Sequence, residues 1–79
     1  MVPRYFFDTR DGDLIQDEIG IDLDGMEAAR DEATRGLADF ARDALPGSLR
    51  RQLSIHVRDE FERALLTASL WFEVAVPAA

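Results

Sequence analysis

The stretch Leu23–Gly47, LDGMEAARDEATRGLADFARDALPG, carries the decisive pattern of this 79-residue chain. Met26, Ala29, Ala33, Leu37, Phe40, Ala41 and Ala44 recur at spacings of three and four, which lays them along one face of an α-helix. Arg30, Asp31, Arg35, Asp39 and Arg42 fill the opposite side. Asp24 followed by Glu27 has the spacing of a capping box, and Leu23 with Ala28 has that of a hydrophobic staple. Pro46-Gly47 ends the pattern. The spacing predicts a helix over about residues 24–45, about five turns and about 30 Å long.

Strand signals lie on both sides of it. Arg4–Phe7 (RYFF) is aromatic and extended in character, with Pro3 at its start. Asp11-Gly12 marks a hairpin, since a type I′ turn needs positive φ at both central residues. Leu14-Ile15-Gln16 continues as a second strand, and Asp17–Leu23 reads as a connection. After the helix, QLSIHVRD (52–59) sets Leu53, Ile55 and Val57 against Ser54, His56 and Arg58. ALLTASLWFEVAV (64–76) alternates in the same way, with Leu66, Ala68, Leu70, Phe72 and Val74 against Leu65, Thr67, Ser69, Trp71 and Glu73. Strands are expected at about 3–9, 13–17, 52–59 and 64–75. The fold class is α+β: one small two-layer domain over residues 1–79, order ββαββ, an antiparallel sheet with one amphipathic helix on one face. The last strand, the most hydrophobic, is expected at the centre, beside the first.

Composition narrows the function. A single small core buries only about 60–65% of the unfolded surface, so a chain of this length needs support. Without cysteine, and with one histidine, neither disulfides nor a thiolate metal site supplies it. Self-association is the remaining common device, and a homodimer or another protein is the expected partner. The net charge of −7 opposes binding to nucleic acid or to anionic membranes. MVPRYFF lacks the apolar segment of a signal peptide and no run approaches membrane-spanning length, so a cytoplasmic location is expected.

The residues PRYFFDTRDGDLIQDEIGIDLDGMEAARDEA, RRQLSIHVRDE and SLWFEV carry a likeness over Pro3–Val74. They resemble a family of short bacterial proteins of unknown function with a P-x-Y-F-F-D start, a D-G turn, a D-x-x-G-x-x-L lead-in, an A-A-x-x-E-A helix and a V-R-D-E hairpin. The matching positions include Tyr5, Phe6, Phe7, Asp8, Gly12, Asp17, Gly20, Leu23, Glu32, Arg58 and Asp59. Phe61 departs from the glycine-like residue that similar sequences place in the last hairpin. The resemblance implies a compact unit and names no activity. The helix entry is also similar to that of antitoxin domains of the partial ribonuclease-H type, which implies a partner-binding role.

Three clusters are candidates for chemistry. Asp8, Asp11, Asp13, Asp17, Glu18, Asp22 and Asp24 gather before the helix, but their order does not follow the calcium-loop pattern, and turn, loop and cap roles account for them. His56 has Ser54 two residues away on one strand face, about 7 Å along the strand, which places the pair beyond direct hydrogen bonding. Arg50, Arg51, Arg58 and Arg63 form the one basic concentration; Arg50, Arg51 and Arg58 are candidate anion contacts, and Arg50 and Arg51 can also meet the helix's negative end. The largest apolar excess is Phe6, Ile15, Leu65 and Trp71, which the alternation turns away from the helix as a candidate interface. The expected function is a non-enzymatic interaction module, self-associating through that face or a sheet edge. The alternatives are an antitoxin-like or regulatory protein with a basic partner, and more remotely a small enzyme or a weak divalent-cation binder. No cofactor is expected.

Overall fold

The computed structural model describes residues 2–78. One helix, α1 (Met26–Ala44), packs on an antiparallel sheet of β1 (Arg4–Asp11), β2 (Asp13–Ile15), β3 (Ile21–Asp22), β4 (Arg50–Asp59) and β5 (Ala64–Glu73). The sheet order is β2-β1-β4-β5, and β3 pairs with the other end of β1. The α+β class and the ββαββ order follow the sequence reading, with two-residue β3 added inside the expected connection.

The last strand is not central. β4 holds that place, hairpin-linked to β5 on one side and paired with β1 from Tyr5↔Asp59 to Arg10↔Ser54 on the other. Leu53, Ile55 and Val57 of β4 are its deepest apolar side chains, joined in the core by Tyr5 and by Ala29, Ala33, Leu37 and Ala41 of α1. Leu66, Ala68, Leu70 and Phe72 of β5 face the same side yet remain only half-buried. Strand apolarity therefore exceeds what burial inside one chain requires.

Small residues let α1 sit low on β4. A Cβ on Gly36 would stand 3.2 Å from Ile55 Cδ1, a tight contact that the Ile55 side chain would have to give way to. Met26, expected on the packed stripe, occupies the first helical position and stays 45% exposed. The capping box does not form. Gly25 is the N-cap, its carbonyl accepting from Ala29 N–H at 3.0 Å, and no side chain caps the end. Asp24 lies one residue too early for that role. At the other end Leu45 N–H still donates to Ala41 O, and Gly47, at φ +88°, turns the chain away.

Two hairpins depart from the expected turns. The β1–β2 register, Arg10↔Leu14 and Asp11↔Asp13, centres on Gly12 alone, and only Gly12 (φ +80°) has positive φ. A type I′ turn, which centres between two such residues, is therefore not made. In the β4–β5 hairpin the Asp59 carboxylate accepts from the Phe61 and Arg63 N–H groups, and the positive φ falls on Glu62 (φ 67°) rather than on Phe61. Phe61 thus needs no glycine. Because the core centres on Leu53, Leu53→Ala is expected to lower stability by about 3 kcal/mol. Urea denaturation reads this directly, and a loss below about 1 kcal/mol would contradict a core centred on β4.

Candidate functional site

The sheet face turned away from α1 is the candidate site. Strand register sets its side chains in rows across β1, β4 and β5. Phe6, Arg58 and Ala64 form one row; Asp8, His56 and Thr67 the next; Arg10, Ser54 and Ser69 the third. Gln52 with Trp71, then Arg50 with Glu73, complete it. Two polar rows therefore separate Phe6 from Trp71.

The four candidate interface residues do not gather. Ile15 pairs with Thr9, which pairs with Ile55, so Ile15 lies on the helix side of the sheet, 68% exposed at its margin. Leu65 is the extra residue of a β-bulge: Val57 pairs with Leu66, then Arg58 with Ala64. The bulge breaks the alternation, and Leu65 packs against the core instead. Trp71 does lie on the open face, 62% exposed. Phe6 lies there too, covered by the Arg58 guanidinium 4.7 Å from its ring centre and by the chain at Gly20. A Cβ on Gly20 would stand 2.9 Å from both Phe6 Cε2 and Arg4 Cγ, and its φ is +77°, so the close approach depends on glycine.

What holds that cover is a cluster of two carboxylates and one arginine. On its outer edge, opposite β4, β1 lacks a strand partner between Thr9, paired with β2, and Tyr5, paired with β3. Asp17 fills the gap. Its Oδ2 accepts the Phe7 N–H at 3.1 Å, and its Oδ1 accepts those of Ile19 and Gly20 at 3.0 and 3.1 Å. Its own N–H donates to Asp8 Oδ1 at 2.9 Å. Arg58 closes the cluster, donating from Nε to Asp8 Oδ2 at 2.9 Å and from Nη2 to the Asp17 carbonyl at 2.8 Å. The Asp8 and Arg58 side chains are 9% and 16% exposed, so this is a nearly buried pair.

The candidate anion contacts separate as well. Arg58 is committed to Asp8. Arg51 lies on the helix side, donating to Asp11 from Nε and Nη2 at 2.9 and 2.7 Å and from Nη1 to Ala44 O at 2.8 Å. It thus meets the helix's negative end, as expected of one arginine of the pair. Arg50 lies on the open face, 3.6 Å from Glu73. Four residues of the acidic scatter are taken up in the fold, Asp8 by Arg58, Asp11 by Arg51, Asp22 by Arg4 and Asp17 by backbone, while Asp13, Glu18 and Asp24 stay exposed.

His56 corrects the distance argument. Its Nε2 lies 3.0 Å from Ser54 Oγ and its Nδ1 3.2 Å from Thr67 Oγ1. Cα atoms two apart are about 7 Å distant, but the imidazole leans along the strand and spans the gap. Each hydroxyl complements either tautomer. Ser54 is buried and a hydroxyl, not a carboxylate, orients the ring; this lacks the acid that makes a Ser–His pair nucleophilic.

The roles of Asp17, of the Asp8–Arg58 pair and of the Ser54–His56 contact lie outside the sequence reading. For Asp17 the D-x-x-G spacing held the signal, since Asp accepting N–H groups two and three residues on is a loop-closing pattern. Burial raises its pKa, but three backbone N–H groups and Arg58 outweigh this and hold it below the usual carboxylate value. The Arg51 hydrogen bond lowers Asp11, while in Asp59 the backbone N–H groups and Arg63 overcome the opposing effect of burial. A depressed folded pKa stabilises above the unfolded value, near 4, and the contribution fades as pH falls through the folded pKa. The urea midpoint is therefore expected to drop as pH falls from about 5 to 2, with a shallower slope in Asp17→Asn. An unchanged slope would show that Asp17 is not held in this way.

No curated protein and no solved structure matches the chain. A family model described as Domain of unknown function (DUF6894) matches residues 4–71, a span that includes α1, the Asp8–Asp17–Arg58 cluster and β5 as far as Trp71. The chain belongs to that family.

Proposed function

We propose that the protein is a non-enzymatic, cytoplasmic interaction module that pairs with a second copy of itself through the open edge of β5. The observation that carries this reading is the composition of that edge. β5 ends the sheet, and from Ala64 to Phe72 it holds no charged residue, no proline and no glycine. Exposed strands of such length are ordinarily blunted by charge or proline, because their free N–H and C=O groups recruit another strand. The half-buried Leu66, Ala68, Leu70 and Phe72 support the same reading, since a neighbouring copy would extend the layer that covers them.

The ladder sets the geometry of pairing. Val74 N–H donates to Leu49 O at 2.7 Å, so even-numbered residues of β5 direct their backbone groups toward β4. Thr67, Ser69 and Trp71 then direct theirs outward. A two-fold axis at Ser69 pairs the regular stretch Leu66–Phe72 with itself and leaves the bulge outside. Ser69 meets Ser69 of the second copy, Thr67 meets Trp71, Ala68 meets Leu70, and Leu66 meets Phe72. These are hydroxyl, β-branched–aromatic and apolar pairs of the kind that stabilise sheets.

Light scattering on the eluting protein at tens of micromolar is expected to give twice the chain mass. Ser69→Cys should cross-link under mild oxidation without competition, the chain having no cysteine. Ser69→Pro removes an outward donor without touching the β4 ladder, and should give a folded monomer by circular dichroism and mass. A wild-type monomer at every concentration would overturn the proposal.

A further inference from the structure

Within this chain of net charge −7, one place on the open face concentrates positive charge. Arg10 and Arg50 of that face, with Arg51 reaching in from the helix side, line a groove of about 750 Å³ that Ser54, His56 and Ser69 also line. Asp11 is the one carboxylate among the lining residues, and it is already bound by Arg51. The lining therefore keeps an excess of two positive charges. Glu73, 3.6 Å from Arg50, offsets part of this excess, and Asp8, one row from Arg10, is neutralised by Arg58, so the local positive charge centres on Arg10.

The state of each cation identifies where a ligand would go. Arg10 is exposed and makes no ion pair or side-chain hydrogen bond among the described residues. Arg50 has only the long 3.6 Å approach to Glu73, at an exposed site where such pairs contribute little. Arg10 stands in the same row as Ser54 and Ser69; Ser54 is buried and bonded to His56, whose other ring nitrogen meets Thr67, so Ser69 is the hydroxyl of that row open to a ligand. A guanidinium with adjacent hydroxyl donors matches an oxyanion, which accepts several hydrogen bonds at once. Trp71 lies in the next row and offers a flat apolar neighbour.

We propose that this groove is a binding site for a small oxyanion, a phosphate or a carboxylate group, seated at Arg10 with Arg50 and Ser69 around it. The residue set differs from the expected anion contacts by the entry of Arg10 and Ser69 and the exclusion of Arg58, whose guanidinium is occupied by Asp8 and Asp17, and of Arg51, which is occupied by Asp11. The site is formed within one chain and stands whether or not β5 pairs.

The test is titration of the ¹⁵N-labelled protein with inorganic phosphate, and separately with acetate, at ionic strength fixed by chloride. Saturable amide shifts at Arg10, Arg50–Gln52 and Ser69 are expected, with a change in Trp71 fluorescence. Arg10→Gln should weaken binding about tenfold, the effect of losing one charge-assisted hydrogen bond. Because Arg10 supports no other group, its substitution should leave urea stability unchanged. Arg30→Gln, on the solvent side of α1, should leave binding unchanged. Tighter saturation by phosphate assigns a phosphate-bearing ligand, and tighter saturation by acetate a carboxylate. Linear shifts spread over all arginines with both probes, or undiminished binding in Arg10→Gln, would overturn the site.

Discussion

The Asp17 carboxylate takes the place of a strand. Beside Phe7, where neither β2 nor β3 reaches, it accepts the outward N–H of β1 and two N–H groups of its own loop. A bare N–H at that depth would leave a polar group unsatisfied at a cost of about 1–3 kcal/mol. With Asp8 and Arg58 the cluster also pins the 16–20 loop over Phe6, which closes one flank of the sheet. Every buried side-chain nitrogen and oxygen among the described residues has a partner. Desolvation offsets much of the attraction in a buried ion pair of this kind, so it adds little net stability. Its hydrogen bonds to Asp17 hold the 16–20 loop against the outer edge of β1, and β5 is left as the open edge.

This asymmetry gives the molecule its two surfaces. The open face, expected to carry an apolar patch, is instead polar through its middle rows, and among the described residues Arg10 is its one unpaired guanidinium. The surplus of apolar surface lies at the β5 edge and in the half-covered side chains beneath it. Self-pairing and oxyanion binding, as proposed, use the edge and the face of one sheet and meet at Ser69, whose backbone serves the first and whose hydroxyl serves the second. Among the described residues no helix is long and apolar enough to cross a membrane.

How far the sequence could be read follows from which forces act locally. Periodicity placed α1 and the alternation of β4, because burial on one face leaves a regular signature. It could not place β5 in the sheet, since a strand held half-buried at an edge has the same apolar pattern as a central one. The bulge at Leu65 depends on the register between two strands, so it inverted an assignment made from alternation alone. Gly25 displaced Asp24 from the cap, and the Ser54–His56 contact was missed because Cα spacing ignores side-chain reach. Asp17 and Gly20 were visible as a D-x-x-G spacing, but their work on β1 appears only once the strands are paired.

The central claim is that one edge is closed from within the chain and the other by a second copy. Amide hydrogen exchange, followed residue by residue at two protein concentrations, tests both halves together. The Phe7 amide should be protected equally at low and high concentration, held by Asp17. Those of Thr67, Ser69 and Trp71 should be protected at high concentration and lose protection on dilution. Free exchange at Thr67, Ser69 and Trp71 in concentrated protein, or at Phe7 under any condition, would contradict the account.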